Sequence, residues 1–122
     1  MSRPVYKVYE PQNALVPIAD GLWTVDGPAV LFGPRRIQVP CPTRMTVIAL
    51  KEGGIALHSP VALSETLSKC LESLGPIRSL IAPNSFHYLH IASWAEQCPD
   101  ADVFVARGLT GNPRLPRRAR TL

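Results

Sequence analysis

The chain of 122 residues is short of several things that would fix its class at once. It has no apolar run near the roughly 20 residues that a membrane span needs. Its first residues, MSRPVYKVYEPQ, hold no apolar stretch of the signal-peptide kind. An intracellular, cytoplasmic setting is therefore expected, with no membrane contact. Cysteine is scarce and unpaired in pattern: Cys41, Cys70 and Cys98 form no CxxC motif, and an odd count speaks against a disulfide framework. Cys70 falls on the apolar stripe of a predicted helix and reads as a small buried hydrophobe. Acid is absent from the end of the chain. Five arginines (Arg107, Arg114, Arg117, Arg118 and Arg120) stand there with no Asp or Glu among them, and taking those five from the 13 basic residues leaves eight against nine acids. The body is thus nearly neutral, and the net charge of +4 belongs to the tail.

What is present suits one domain with one core. Residues 1–21, with prolines at 4, 11 and 17, read as an extended lead-in. Leu22 to Val25 reads as a strand, Asp26-Gly27 as a turn, and Ala29 to Phe32 as a second short run. The proline-rich segment GPRRIQVPCPTR at 33–44 is expected to be a loop along a sheet edge. Met45 to Leu50 is a strand whose near-continuous apolar character predicts burial on both faces. Two glycines in Lys51-Glu52-Gly53-Gly54 supply a turn, and Ile55 to His58 returns as the second arm of a hairpin.

A helix is predicted next, with Ser59 as its N-cap and Pro60 at its first position. Leu63, Leu67, Cys70, Leu71 and Leu74 make its apolar face; Gly75 and Pro76 end it. Ser79 to Ala82 reads as a buried strand parallel to its predecessor. Ile91, Trp94 and Ala95 form a short helical stripe ending before Pro99, with Trp94 in the core, and Val103 to Ala106 is a last strand. The order predicts an α/β, or layered α+β, domain over residues 22–106 with an antiparallel opening, followed by a basic, flexible tail at 107–122.

The chemistry-bearing stretch is PNSFHYLHIASW at 83–94. Asn84 or Ser85 can cap the helix that follows. His87 and His90 are then expected at i and i+3 on one helical face, at the C-terminal end of a parallel strand, where open α/β sheets bind ligands. Two histidines are not a metal site: zinc needs three protein ligands when catalytic and four when structural. His58, at the end of a neighbouring strand, is the candidate third. Packing or capping is the simpler reading for His58 and for His90. The nearest acids, Glu96 and Asp100, fall past the helix.

Three segments together, LWTVDGPAVLFG, RMTVIALKEGGIALHSPVALSETL and LGPIRSLIAPNSFHYLHIASWAEQCPDADVFVARGL, resemble a domain-of-unknown-function family of the metallo-β-lactamase-like fold. The motifs that carry the likeness are the Trp-containing first strand, "RMTV", "HSP", "PN..H" and "W...P.A.V", in order and at matching spacing from about Leu15 to Leu109. The resemblance implies an αββα sandwich, of which this chain holds the N-terminal half. It makes His87 the histidine of "PN..H" and the first candidate ligand of a divalent metal such as zinc, with Asn84 shaping the site. His58-Ser59-Pro60 is the "HSP" motif, where metallo-hydrolases of this fold keep an acid. Tyr88 stands where relatives carry a second histidine, and His90 at a position that is often aromatic.

The stretch departs from the HxHxDH loop of such hydrolases in lacking its aspartate and in its histidine spacing. Three readings follow. A non-catalytic half-fold would act through self-association or through a missing second half-domain. A metal-dependent hydrolase would use His87, with His90 and His58, to hold a metal that activates water. A nucleic-acid contact would use the arginine tail, but no aromatic residue lies among those arginines to stack on bases, and a solvated tail is the simpler expectation.

Overall fold

The computed structural model describes residues 13–32, 37–83, 90–110 and 112–122. Seven strands form one sheet in sequence order: β1 (Val16–Ala19), β2 (Leu22–Phe32), β3 (Val39–Ala49), β4 (Ile55–His58), β5 (Ile77–Ala82), β6 (Asp102–Val105) and β7 (Arg120–Thr121). β1 to β4 pair antiparallel and β4 to β7 pair parallel. Helix α1 (Glu65–Glu72) crosses from β4 to β5, and α2 (Ile91–Gln97) from β5 to β6. The expected hairpin and both parallel crossovers are therefore present.

The hairpin closes where expected, with Leu50 N–H donating to Gly54 O at 3.0 Å and Gly53 N–H to Leu50 O at 3.1 Å. Gly54 has φ +81°, and a Cβ there would stand 2.7 Å from the backbone oxygen of Pro76. Only glycine meets both demands.

Asp26-Gly27 is not a turn. It lies inside the 11-residue strand β2, which bulges between Gly27 and Val30. Gly27 is there for room: a Cβ would come within 2.7 Å of Val61 Cβ and of Thr43 Oγ1. The end of the segment expected to be an edge loop is also strand, since β3 begins at Val39 and includes Pro40 and Pro42. The pleat explains their tolerance. Ala49 N–H donates back to Gly21 O at 2.8 Å, so odd-numbered residues of β3 direct their N–H groups to β2. Pro40 and Pro42 fall on the other parity, beyond the end of β4, whose last partner is Thr46 opposite His58. No ladder bond is lost there.

Ser59 and Pro60 do not start α1. Ser59 has φ +58°, a left-handed conformation outside the helix, held by its N–H on Ile81 O at 2.8 Å. The helix begins at Glu65 with Ser64 as N-cap, its hydroxyl accepting from Leu67 N–H at 3.1 Å. Residues 59–63 instead fill space beneath α2. Val61 is fully buried, and its carbonyl accepts the Trp94 indole N–H at 2.7 Å.

One core joins the sheet to both helices. Val25, Met45, Val47, Ile55, Leu57, Leu80, Ala82, Val103 and Val105 line it from the strands, Leu67 and Leu71 from α1, and Ile91, Trp94 and Ala95 from α2. These strand residues stand opposite one another in register, so they share one face. Right-handed crossovers put both helices on that face.

The residues expected to be a flexible tail are built into this body. Leu115 and Ala119 are 8% and 7% exposed and belong to the core. β7 adds to β6 through Phe104–Arg120 and Val105–Thr121. Spaced prolines and arginines hid these two small apolar anchors. The lead-in likewise contributes β1.

Candidate functional site

Two places can carry function: the C-terminal edge of the parallel strands and the sheet face away from the helices. The edge holds the sequence candidates. His58 ends β4 opposite Thr46 and Ile81, on the face opposite Leu57. Its Nδ1 lies 3.3 Å from Ser59 Oγ. His90 is the N-cap residue of α2, with φ −105° and ψ 0°, and makes no side-chain capping bond. It therefore precedes the first turn of α2 and is not inside that helix. His87 and Asn84 lie outside the described residues.

Burial lowers the His90 pKa below the ordinary imidazole value, and its Nε2 is buried without a hydrogen-bond partner. A neutral imidazole with a free ring nitrogen has the chemistry of a metal ligand. The surroundings do not complete a site: among the described residues no three His, Cys, Asp or Glu side chains gather where they could hold a metal ion. His58 points to one side of the sheet, and His90 caps a helix on the other. The described residues thus do not fit a zinc centre, which needs at least three protein ligands.

For the second place the sequence pointed to exposed surface of a half-fold without naming its residues. Between the core residues, the strands carry Leu22, Ile48, Ala56, Ile81 and Phe104 on the opposite face. None belongs to the core cluster, although Ala56 is 3% exposed, shielded by its neighbours in the sheet. Ile48, Ile81 and Phe104 are half-buried. Leu31, opposite Pro40 and 54% exposed, lies farther along β2, beyond the Asp26–Arg44 pair and the bulge. Among the described residues no helix and no second sheet covers this side. The near-continuous apolar runs TVIAL and SLIA anticipate burial on both faces; the described elements bury one.

Charge pairs flank the strip. At one end Arg44 of the "RMTV" motif reaches back to Asp26, Nε to Oδ1 at 2.8 Å and Nη2 to Oδ2 at 3.3 Å. The Asp26 side chain is 8% exposed, so this two-point bond offsets its desolvation. At the other end Arg120 pairs with Asp102 at 2.9 Å and lies over the Phe104 ring, 5.5 Å from its centre.

Residues 19–115 match the family described as Domain of unknown function (DUF4336). The chain belongs to that family. No curated protein matches its sequence. Among solved structures it is similar to the metallo-β-lactamase FIM-1 from Pseudomonas aeruginosa in its mono-zinc form, with TM-score 0.55 and 11% identity over 80% of this chain and 43% of that one. It is also similar to a metallo-β-lactamase from Hirschia baltica, with TM-score 0.52 and 15% identity over 77% of this chain and 43% of that one. At such identities the likeness speaks for the fold: this chain has the metallo-β-lactamase-like fold and spans less than half the length of either neighbour. The expectation of an N-terminal half of that fold holds.

Proposed function

We propose that this family member works through the bare face of its sheet, as a non-catalytic half-fold that self-associates. The observation that carries the reading is that Leu22, Ile48, Ile81 and Phe104 stand on the face that no helix covers among the described residues. Burying an Ile or Phe side chain fully is worth roughly 1.5–3 kcal/mol relative to leaving it exposed. Ile48, Ile81 and Phe104 are already partly buried, so only the smaller part of that remains for each. A second copy is the occupant with the matching surface, because a two-fold pairing sets the same apolar strip against itself. Each neighbour is also more than twice the matched length, which is the room a second layer occupies in this fold. The reading includes a cytoplasmic setting, in which Cys70 and Cys98 stay reduced thiols. No helix among the described residues is long and apolar enough to cross a membrane.

Sedimentation across a concentration series tests this. A dimer that Ile81→Lys converts to a folded monomer is expected; a wild-type monomer at every concentration, binding no apolar dye, would remove the reading.

One observation favours a second reading, a metal-dependent hydrolase with His87, His90 and His58 as ligands: the unpartnered Nε2 of His90. Metal analysis of protein purified without added metal decides it, and well under one zinc per chain rules it out. The nucleic-acid reading has less behind it, since the guanidinium groups of Arg118 and Arg120 are bonded to oxygens of this chain.

A further inference from the structure

We infer that residues 112–122 act as a latch on the C-terminal end of α2, one that opens as a unit while the central strands stay folded. A helix leaves its last carbonyls without intrahelical partners, and α2 has no basic residue in its last turn to meet them. Arg118 supplies what the helix lacks. Its Nε donates to Ala101 O, and its Nη2 to Ala95 O and Cys98 O, each at 3.0 Å. One guanidinium thus gathers three backbone oxygens where the helix ends, with its positive charge at the negative end of the helix dipole.

The rest of the segment aims this group. Leu115 and Ala119, three residues before and one after Arg118, are its buried plugs. Turn bonds brace it, Leu115 N–H to Asn112 O at 2.9 Å and Ala119 N–H to Pro116 O at 3.0 Å. Leu122 N–H then donates to Val105 O at 2.8 Å.

The remaining ties among the described residues are few and exposed, among them a 2.7 Å bond between the hydroxyls of Thr110 and Thr121. β7 has two residues, and the side chains of the Arg120–Asp102 pair are both more than half exposed, where an ion pair contributes little. A segment tied by two small plugs and one multidentate side chain opens at lower cost than strands buried in the core. Its release frees the carbonyl of Cys98, the C-cap residue of α2. The thiol of Cys98 is half-buried beside Glu72 and Arg118 and becomes accessible. The segment also touches both sides of the sheet. Arg118 grips the helix layer, and Arg120, two residues on, covers Phe104 on the bare face. A molecule that displaces Arg120 from Phe104 therefore pulls on the latch; this last link rests on the interface reading, while the latch itself does not.

Native-state hydrogen exchange on the full wild-type chain tests the latch directly. The amides of Cys98, Ala119 and Leu122 are expected to exchange through one shared opening, at least tenfold faster than those of Leu57 and Leu80. Exchange of all five at one rate would overturn it. In Arg118→Ala the rate of Cys98 alkylation, read by peptide mass, should rise tenfold or more with Leu57 and Leu80 protection kept, and Arg118→Lys should recover part of the shielding. An unchanged Cys98 rate, or one that rises only in step with loss of Leu57 and Leu80 protection, contradicts the proposal.

Discussion

Leu80 and Ile81 are neighbours on β5 with opposite fates. Leu80 is fully buried among Leu57 and Val103 in the core. Ile81 faces away, beside His58 and Phe104, half-buried and outside the core. The core face is apolar throughout, while the other sets Leu22, Ile48, Ile81 and Phe104 among Thr24, Thr46, His58 and Ser79; among the described residues the helices serve only the first, and the C-terminal segment reaches the second through Arg120 alone. Sheet strands that are apolar on both sides ordinarily have both sides covered. The core, and with it the stability of the chain, lies on one side; the self-association proposed above uses the other.

Substitutions sharpen that contrast. The largest loss is expected at Trp94, which is fully buried and bonded through its indole N–H to Val61 O. Trp94→Ala should cost about 3–5 kcal/mol, read as a lower urea midpoint. Leu80→Ala should follow, at about 2–5 kcal/mol. Ile81→Ala, one residue away, should cost the separated chain less than Leu80→Ala, because its side chain is only partly buried, while weakening self-association. Equal costs at positions 80 and 81, measured at a concentration where the chain is monomeric, would erase the distinction between the faces.

A smaller effect is expected from His90. Burial favours its neutral form, so its folded pKa lies below its unfolded value near 6.5. The associated stability is fully present above pH 6.5 and is lost as the pH falls through the folded value. Stability should therefore decline on acidification from pH 7.5 to 5.5, and His90→Gln should flatten that slope. An unaltered slope in the variant would show that His90 is not desolvated.

The parallel half of the fold was legible. Apolar runs at 45–50, 55–58 and 79–82, glycines at the hairpin and a helical stripe ending at Gly75-Pro76 determine it almost alone. The errors came where local chemistry has two meanings. Asp26-Gly27 has a turn composition, but the aspartate is paired across strands with Arg44 and the glycine makes room for Val61. Pro40 and Pro42 signal a loop until their shared parity puts both on the unpaired side of β3. Ser59-Pro60 looks like a helix start, but the left-handed φ of Ser59 delays the helix to Ser64. The C-terminal segment gave no periodicity, because its anchors are two small apolar residues and an arginine that bonds backbone oxygens. At the candidate site, the sheet end that holds His58 and His90 was readable from element order. The one-residue offset that makes His90 a cap was not, since helix boundaries depend on backbone angles that sequence spacing does not fix.

The central claim is that the uncovered face of the sheet is where the chain meets another copy of itself. Equilibrium sedimentation of the wild type beside Ile81→Lys tests it most directly. The account predicts a dimer for the wild type and a folded monomer for the variant, with the same helix and strand content. A wild type that stays monomeric at all concentrations, or a variant that dimerises as well as the wild type, would contradict it.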